Sequence, residues 1–160
     1  GRADPNVTGK NESWNGSAWT ELADLNTAKS GAGGSGADNT AALVYGGYPN
    51  TATTEVWNGS AWAEVNDLNT SRASLGSAGN SINSALAFMG SNPDGNKALT
   101  EDWNGASWSE VGDLNTARTQ GNGTGISTSA LAFGGEVPPS TGLTEEWSIP
   151  SNVIKTITTS

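Results

Sequence analysis

Apolar positions in this chain fall in short alternating pairs, with polar breaks between them, and helical spacing is absent. Val56 and Trp57 form one apolar step, Asn58-Gly59-Ser60 a polar break, and Ala61-Trp62 with Val65 the next apolar step. The whole stretch Glu55 to Arg72 (EVWNGSAWAEVNDLNTSR) recurs almost unchanged from Glu12 to Lys29 and from Glu101 to Arg118, and a fourth copy opens at Glu145-Glu146-Trp147. The first tryptophans of the copies, Trp14, Trp57, Trp103 and Trp147, are 43, 46 and 44 residues apart. Self-similarity at a fixed period of this size marks a repeat architecture, in which each copy is one supersecondary unit.

Each unit predicts four strands. Val56-Trp57 and Trp62 to Val65 flank Asn58-Gly59, and Asn-Gly between two strand-like runs predicts a type I′ hairpin with positive φ at both central residues. Asn15-Gly16 and Asn104-Gly105 hold the same place. These two runs are the third and fourth strands of a unit. An Asp-Leu-Asn-Thr turn follows at Asp24, Asp67 and Asp113, with Leu25, Leu68 and Leu114 as apolar plugs beneath it; Asp, Asn and Thr suit turns because they bond the local backbone. The next run is rich in Gly, Ser and Ala, such as 30–36 and 119–125. It predicts a closely packed first strand, since small side chains let backbones approach. The second strand is a short apolar run closed by glycine: Ala41 to Tyr45 before Gly46-Gly47, Leu86 to Phe88, and Leu131 to Phe133 before Gly134-Gly135.

Composition changes this picture in one respect. Leu, Ile, Val and Phe total 24 of 160 residues with a net charge of −9, a balance that alone points towards disorder. Seven tryptophans in fixed columns reverse that reading, because each can bury roughly 150–250 Å² of surface. The repeat core is therefore assigned to Trp14, Trp19, Trp57, Trp62, Trp103, Trp108 and Trp147. Only seven Lys and Arg are present and they are scattered, which argues against a nucleic-acid partner. No apolar run reaches the length of a membrane span. The absence of Cys excludes disulfides and thiolate metal sites, and the absence of His removes the commonest general base and metal ligand; no cofactor is expected. Residues 1–8 read as a linker or as residues left by expression, and 9–160 as one repeat domain with units at 9–26, 27–69, 70–115 and 116–160.

The order of apolar strand, glycine doublet, variable loop, Glu-x-Trp, hairpin, Trp, Asp-Leu and Arg resembles the kelch repeat. Met89 in place of the first glycine of the second doublet, Trp in place of the commoner Tyr, and Lys29 in place of Arg depart from that pattern. The resemblance implies an all-β, kelch-like β-propeller of four-stranded antiparallel blades, about three and a half of them here; a three-sheet β-prism is the geometric alternative. The Gly/Asn/Ser/Thr-rich wording of the units also resembles kelch-like arrays in virion and tail-fibre proteins of marine phages. That likeness implies a non-enzymatic structural or binding module on an extracellular or virion surface. Its expected partners are a host-surface glycan or protein, and either further copies of the chain closing a ring or the remainder of a longer chain.

Three kinds of candidate site follow. Glu12, Glu55, Glu101 and Glu145 could serve as carboxylate catalysts, but an acid repeated in every unit suits a structural tie to Lys29, Arg72 and Arg118 better, since catalytic groups are normally unique. Residues 101–108 resemble the Asp-box hairpin of sialidases, itself a structural motif. A carbohydrate-active enzyme on a propeller remains one rival reading, with Tyr45 and Tyr48 the only tyrosines, and a protein–protein adaptor is another. The loop between the second and third strands, in contrast, varies in length and content from unit to unit, and recognition commonly lives on such loops. In kelch-type propellers these loops share a face with the connections between blades. Carried over, that face presents Tyr48, Asn50, Asn92, Asp94, Asn96 and Glu136 as ligand-binding candidates.

Overall fold

A computed structural model describes residues 7–149. Fifteen strands run in chain order: β1 (Glu12–Trp14), β2 (Trp19–Glu21), β3 (Gly33–Asp38), β4 (Ala41–Tyr45), β5 (Thr54–Trp57), β6 (Trp62–Val65), β7 (Gly76–Ser81), β8 (Ser84–Phe88), β9 (Ser91–Asn92), β10 (Gly95–Asn96), β11 (Thr100–Trp103), β12 (Trp108–Glu110), β13 (Asn122–Ile126), β14 (Ser129–Phe133) and β15 (Thr144–Ser148). They build two complete antiparallel blades, β3-β4-β5-β6 and β7-β8-β11-β12, followed by a three-stranded blade, β13-β14-β15. The β1-β2 hairpin supplies the third and fourth strands of a blade at the other end. The segment 152–159, a candidate fourth strand for the last blade, lies outside the described residues.

The Gly/Ser/Ala runs form the first strands, and these pack side by side. Ser35 Oγ donates to the Ser81 carbonyl at 2.8 Å. A Cβ on Gly123 would come within 2.8 Å of the Ser77 carbonyl oxygen and collide with the Phe88 ring, so the close approach of β13 to β7 demands glycine there. Blades laid face against face along this column form a propeller-like arrangement, and not the three-sheet prism.

Apolar cores lie between blades. One combines Leu43 and Tyr45 with Ala85, Ala87, Trp103 and Trp108, with Leu68 and Leu75 from the connecting segment; the next combines Leu86 and Phe88 with Ala130, Ala132 and Trp147. At both junctions the earlier blade contributes the leucine and aromatic residue of its second strand, and the later blade the alanines of its second strand together with its tryptophans. The second doublet keeps the backbone shape despite losing a glycine: Met89 holds φ +52°, as Gly46 holds +64°. A compensating exchange makes room for it. Where Gly46 abuts Leu75, Met89 abuts Gly121, whose own Cβ would lie 2.6 Å from the Met89 sulfur.

Two expectations are corrected. The Asn-Gly pairs do not form two-residue type I′ turns. Trp57 pairs directly with Trp62, and Trp103 with Trp108, which leaves four residues in each loop. Only the glycine takes positive φ, +94° at Gly59. The asparagine instead caps the loop through its side chain, Asn58 Oδ1 accepting from the N–H groups of Ser60 (2.9 Å) and Ala61 (3.0 Å). The assignment of all seven tryptophans to the core also fails at one end. Trp57, Trp103 and Trp108 are buried and Trp62 and Trp147 half-buried, but Trp14 and Trp19 are 47% and 64% exposed. Tryptophans are buried here by the preceding blade, and among the described residues none lies on that side of β1-β2.

Candidate functional site

Three of the four repeated acids, Glu55, Glu101 and Glu145, resolve into structural clamps, and Glu12 is exposed. Glu101 on β11 is fully buried, and its Oε2 accepts from the Asn69 N–H at 2.7 Å and the Asn69 side-chain amide at 2.9 Å. Its Oε1 accepts from Arg72 Nη1 at 2.5 Å and faces the Thr70 N–H at 3.4 Å. Arg72, itself fully buried, also donates to the carbonyls of Thr70 and Ala87. Glu55 repeats the arrangement with Asn26, Thr27 and Lys29, and Glu145 repeats it with Asn115 and Arg118. Burial works against the Glu145 carboxylate, yet the Asn115 N–H, the Arg118 guanidinium and the Asn115 amide together hold its carboxyl below the ordinary value. These acids fasten each inter-blade turn to a third strand, as a buried ion pair can when every lone pair finds a donor.

The Asp of two turns does more than bond its own backbone. Asp67 accepts from the Thr54 N–H and Asp113 from the Thr100 N–H, both at 3.1 Å, so these two turns are tied across to the start of the preceding third strand. The turn asparagines were missed as functional positions by sequence reasoning, although their repetition beside the Asp-Leu pair was the available signal. Asp102 is the exception among the acids: partial burial pushes its carboxyl above the ordinary value.

Among the tyrosines, Tyr45 is fully buried and donates to the Leu86 carbonyl at 3.0 Å, and burial pushes its phenol up. It packs on Trp108 with ring centroids 4.7 Å apart. That makes it an inter-blade core residue. Tyr48 is half-buried, bridged to Ser30, and joined to Pro49 by a cis peptide bond. Asn50 follows at φ +54°.

The remaining candidate residues cluster. The loop at 91–100 contains a hairpin that sequence reading missed, β9-β10, turning at Pro93-Asp94, with Asn92 Oδ1 accepting from the Asp94 N–H at 3.0 Å. Asn96 on β10 reaches the next loop and donates to the Glu136 carbonyl at 3.0 Å. Glu136 in turn bridges to Thr119 and accepts from the Gln120 side chain at 2.8 Å. The structure therefore joins Asn92, Asp94, Asn96 and Glu136 into one polar ledge across two blades. Asp94 stands exposed on it, and Asn92, Asn96 and Glu136 are half-buried.

No family model matches the chain, and no curated protein matches it. Among solved structures, that of YjhT superposes with a TM-score of 0.68 at 14% identity, covering 84% of this chain and 47% of YjhT. The chain therefore spans about half the length of that neighbour. At this identity the likeness bears on the fold alone. Together with the blades and inter-blade cores, it establishes an all-β, β-propeller-like architecture.

Proposed function

We propose that this chain is a non-enzymatic binding or structural module of kelch type, which presents its second-to-third-strand loops to a glycan or protein on a host surface. The observation that carries this reading is the division of labour between acids. Glu55, Glu101 and Glu145 are consumed in clamps, while the ledge of Asn92, Asp94, Asn96 and Glu136 carries the variable polar groups across two neighbouring loops. Amide and carboxylate groups in that arrangement suit hydroxyl-rich ligands, and Tyr48 adds a partly exposed ring. The phage virion or tail-fibre setting, with its extracellular location, rests on the resemblance of the Gly/Asn/Ser/Thr-rich units. Association with further copies, or with blades of a longer chain, suits the exposed Trp14-Trp19 pair at one end and the exposed Leu131 and Phe133 at the other.

A glycan array combined with a cell-binding assay tests the loop reading. The variants Asp94→Ala and Glu136→Ala should lose binding with melting nearly unchanged, because neither side chain is in an inter-blade core. Binding equal to the parent in both variants would remove the ledge from consideration. Release of free sugar from a bound glycan would replace the reading with that of a carbohydrate-active enzyme.

A further inference from the structure

The described residues hold four Asn-Gly pairs, at 15–16, 58–59, 104–105 and 122–123, and the structure gives them three different surroundings. Asn-Gly is the pair most open to attack on the side-chain amide by the next backbone nitrogen, because glycine puts no side chain in the way. In the β5-β6 hairpin, Asn58 Oδ1 accepts from the Ser60 N–H at 2.9 Å, the Ser60 hydroxyl at 2.9 Å and the Ala61 N–H at 3.0 Å. The β1-β2 hairpin repeats all three donors around Asn15 Oδ1, from the Ser17 N–H at 3.0 Å, the Ser17 hydroxyl at 3.1 Å and the Ala18 N–H at 3.0 Å. Around Asn104 Oδ1 the two N–H donors are kept, at 2.9 and 3.0 Å, and the hydroxyl is lost because Ala106 replaces the serine. Asn122 differs in kind: its Oδ1 accepts from the Gly123 N–H itself, at 2.9 Å.

We infer that the caps at Asn15 and Asn58 are sites of self-promoted deamidation, in which the three donors serve the amide oxygen as an oxyanion hole. A cap from Oδ1 to the N–H two residues on closes a turn-like ring around the intervening peptide nitrogen, so the amide carbon Cγ is held over the Gly59 nitrogen. Hydroxide takes the Gly59 amide proton, the nitrogen attacks Cγ, and negative charge collects on Oδ1, where the three donors already point. Collapse breaks the bond from Cγ to Nδ2, which leaves as ammonia with a proton from water, and a five-membered succinimide remains. Water then opens the ring, at Cγ to give aspartate or at the main-chain carbonyl to give isoaspartate. Gly59 and Gly16 are exposed, at φ +94° and +99°, and the fixed cap spares the orientational entropy that a free peptide must lose. At Asn122 the Gly123 nitrogen faces the oxygen through its hydrogen, with its lone pair turned from Cγ, and Gly123 is pressed on Phe88 and Ser77. The aspartate product keeps the hairpin closed, since a carboxylate accepts more strongly from the same donors. Each event thus adds one negative charge at a hairpin tip.

Incubation of the full chain in mildly alkaline buffer, with peptide mapping by mass spectrometry over time, tests the inference. Asn15 and Asn58 should convert fastest. Asn104 should lag by roughly two- to tenfold, the span set by one neutral hydrogen bond, and Asn122 should be slowest. Ser60→Ala should slow Asn58 to the Asn104 rate, and Ala106→Ser should speed Asn104 by the same factor. Both positions are exposed in their loops, and a melting curve for each variant checks that the fold is kept. A free peptide spanning 55–65 supplies the uncapped rate, which Asn58 in the folded chain should exceed. A folded chain slower than the peptide at Asn58 would show that the cap protects the amide and would overturn the inference. Conversion of Asn122 ahead of Asn58, or rates indifferent to both serine exchanges, would overturn it equally.

Discussion

Glu101→Gln changes one atom in a buried clamp and should be among the most damaging single substitutions in the molecule. The carboxylate receives two donors on Oε2, from Asn69, and two on Oε1, from Thr70 and Arg72. Glutamine can satisfy only one side. Either orientation points its NH₂ at two donors, and Arg72, with no exposed surface, loses its counter-charge. Breaking a buried pair from one side costs about 3–5 kcal/mol. For a chain of this size that corresponds to a fall in melting temperature of roughly 8–16 °C. The repeat provides internal controls. Glu55→Gln should cost a similar amount, Glu145→Gln less because its side chain is 14% exposed, and Glu12→Gln nearly nothing. Glu12 is exposed and sits opposite Glu21 across β1-β2, so losing its charge is neutral or slightly stabilising. The double variant Arg72→Met with Glu101→Leu should recover part of the loss, since no lone charge is then buried. Urea unfolding followed by tryptophan fluorescence measures these variants, the parent, and the singles Arg72→Met and Glu101→Leu. Equal stabilities for Glu101→Gln and Glu12→Gln, or a double variant as unstable as the sum of its singles, would refute the clamp.

Four further outcomes are expected. Trp103→Ala should cost about 3–5 kcal/mol, the range for a buried aromatic truncation, whereas Trp19→Ala should stay within about 0.5 kcal/mol; the same unfolding assay reads both. Asp102→Val should raise the melting temperature by about 1–4 °C, because the ordinary carboxyl is disfavoured there and Val56 fills the corresponding position in the preceding blade beside the core. Glu145 has a folded-state pKa below its ordinary 4.5, so its contribution is full above that pH and is lost as pH falls below it; Glu145→Gln should flatten the acid limb of the stability–pH curve. If the two exposed ends mate head to tail, Trp14→Glu with Trp19→Glu and Leu131→Glu with Phe133→Glu should each sediment as monomers alone yet form a dimer when mixed, while persistent self-association of either variant would exclude that pairing.

Much of the blade was legible from local sequence. The columns of Trp, Glu, Asp-Leu-Asn and Arg repeat at a fixed period, and a period of this size with strand-like alternation has few structural solutions. The clamps were readable as Glu paired with Lys or Arg because both columns repeat together, though the turn asparagines that supply half the donors looked like ordinary loop residues. The Asn-Gly signal named the right turn but the wrong geometry. Whether Asn58 adopts positive φ depends on where strand pairing stops, and Trp57 facing Trp62 moved that boundary.

The sequence by itself determined the repeat, the four-strand unit and the charged partners of the clamps, since these follow from residue type at fixed spacing. Tertiary structure alone decided burial and recognition geometry. Trp14 and Trp103 occupy the same place in almost the same words, yet one is 47% exposed and the other 1%, because burial here comes from the neighbouring blade. The same dependence makes Thr54 the acceptor for the Trp108 indole of the following blade. It also brings Asn96 to Glu136 across 40 residues, through blades laid side by side.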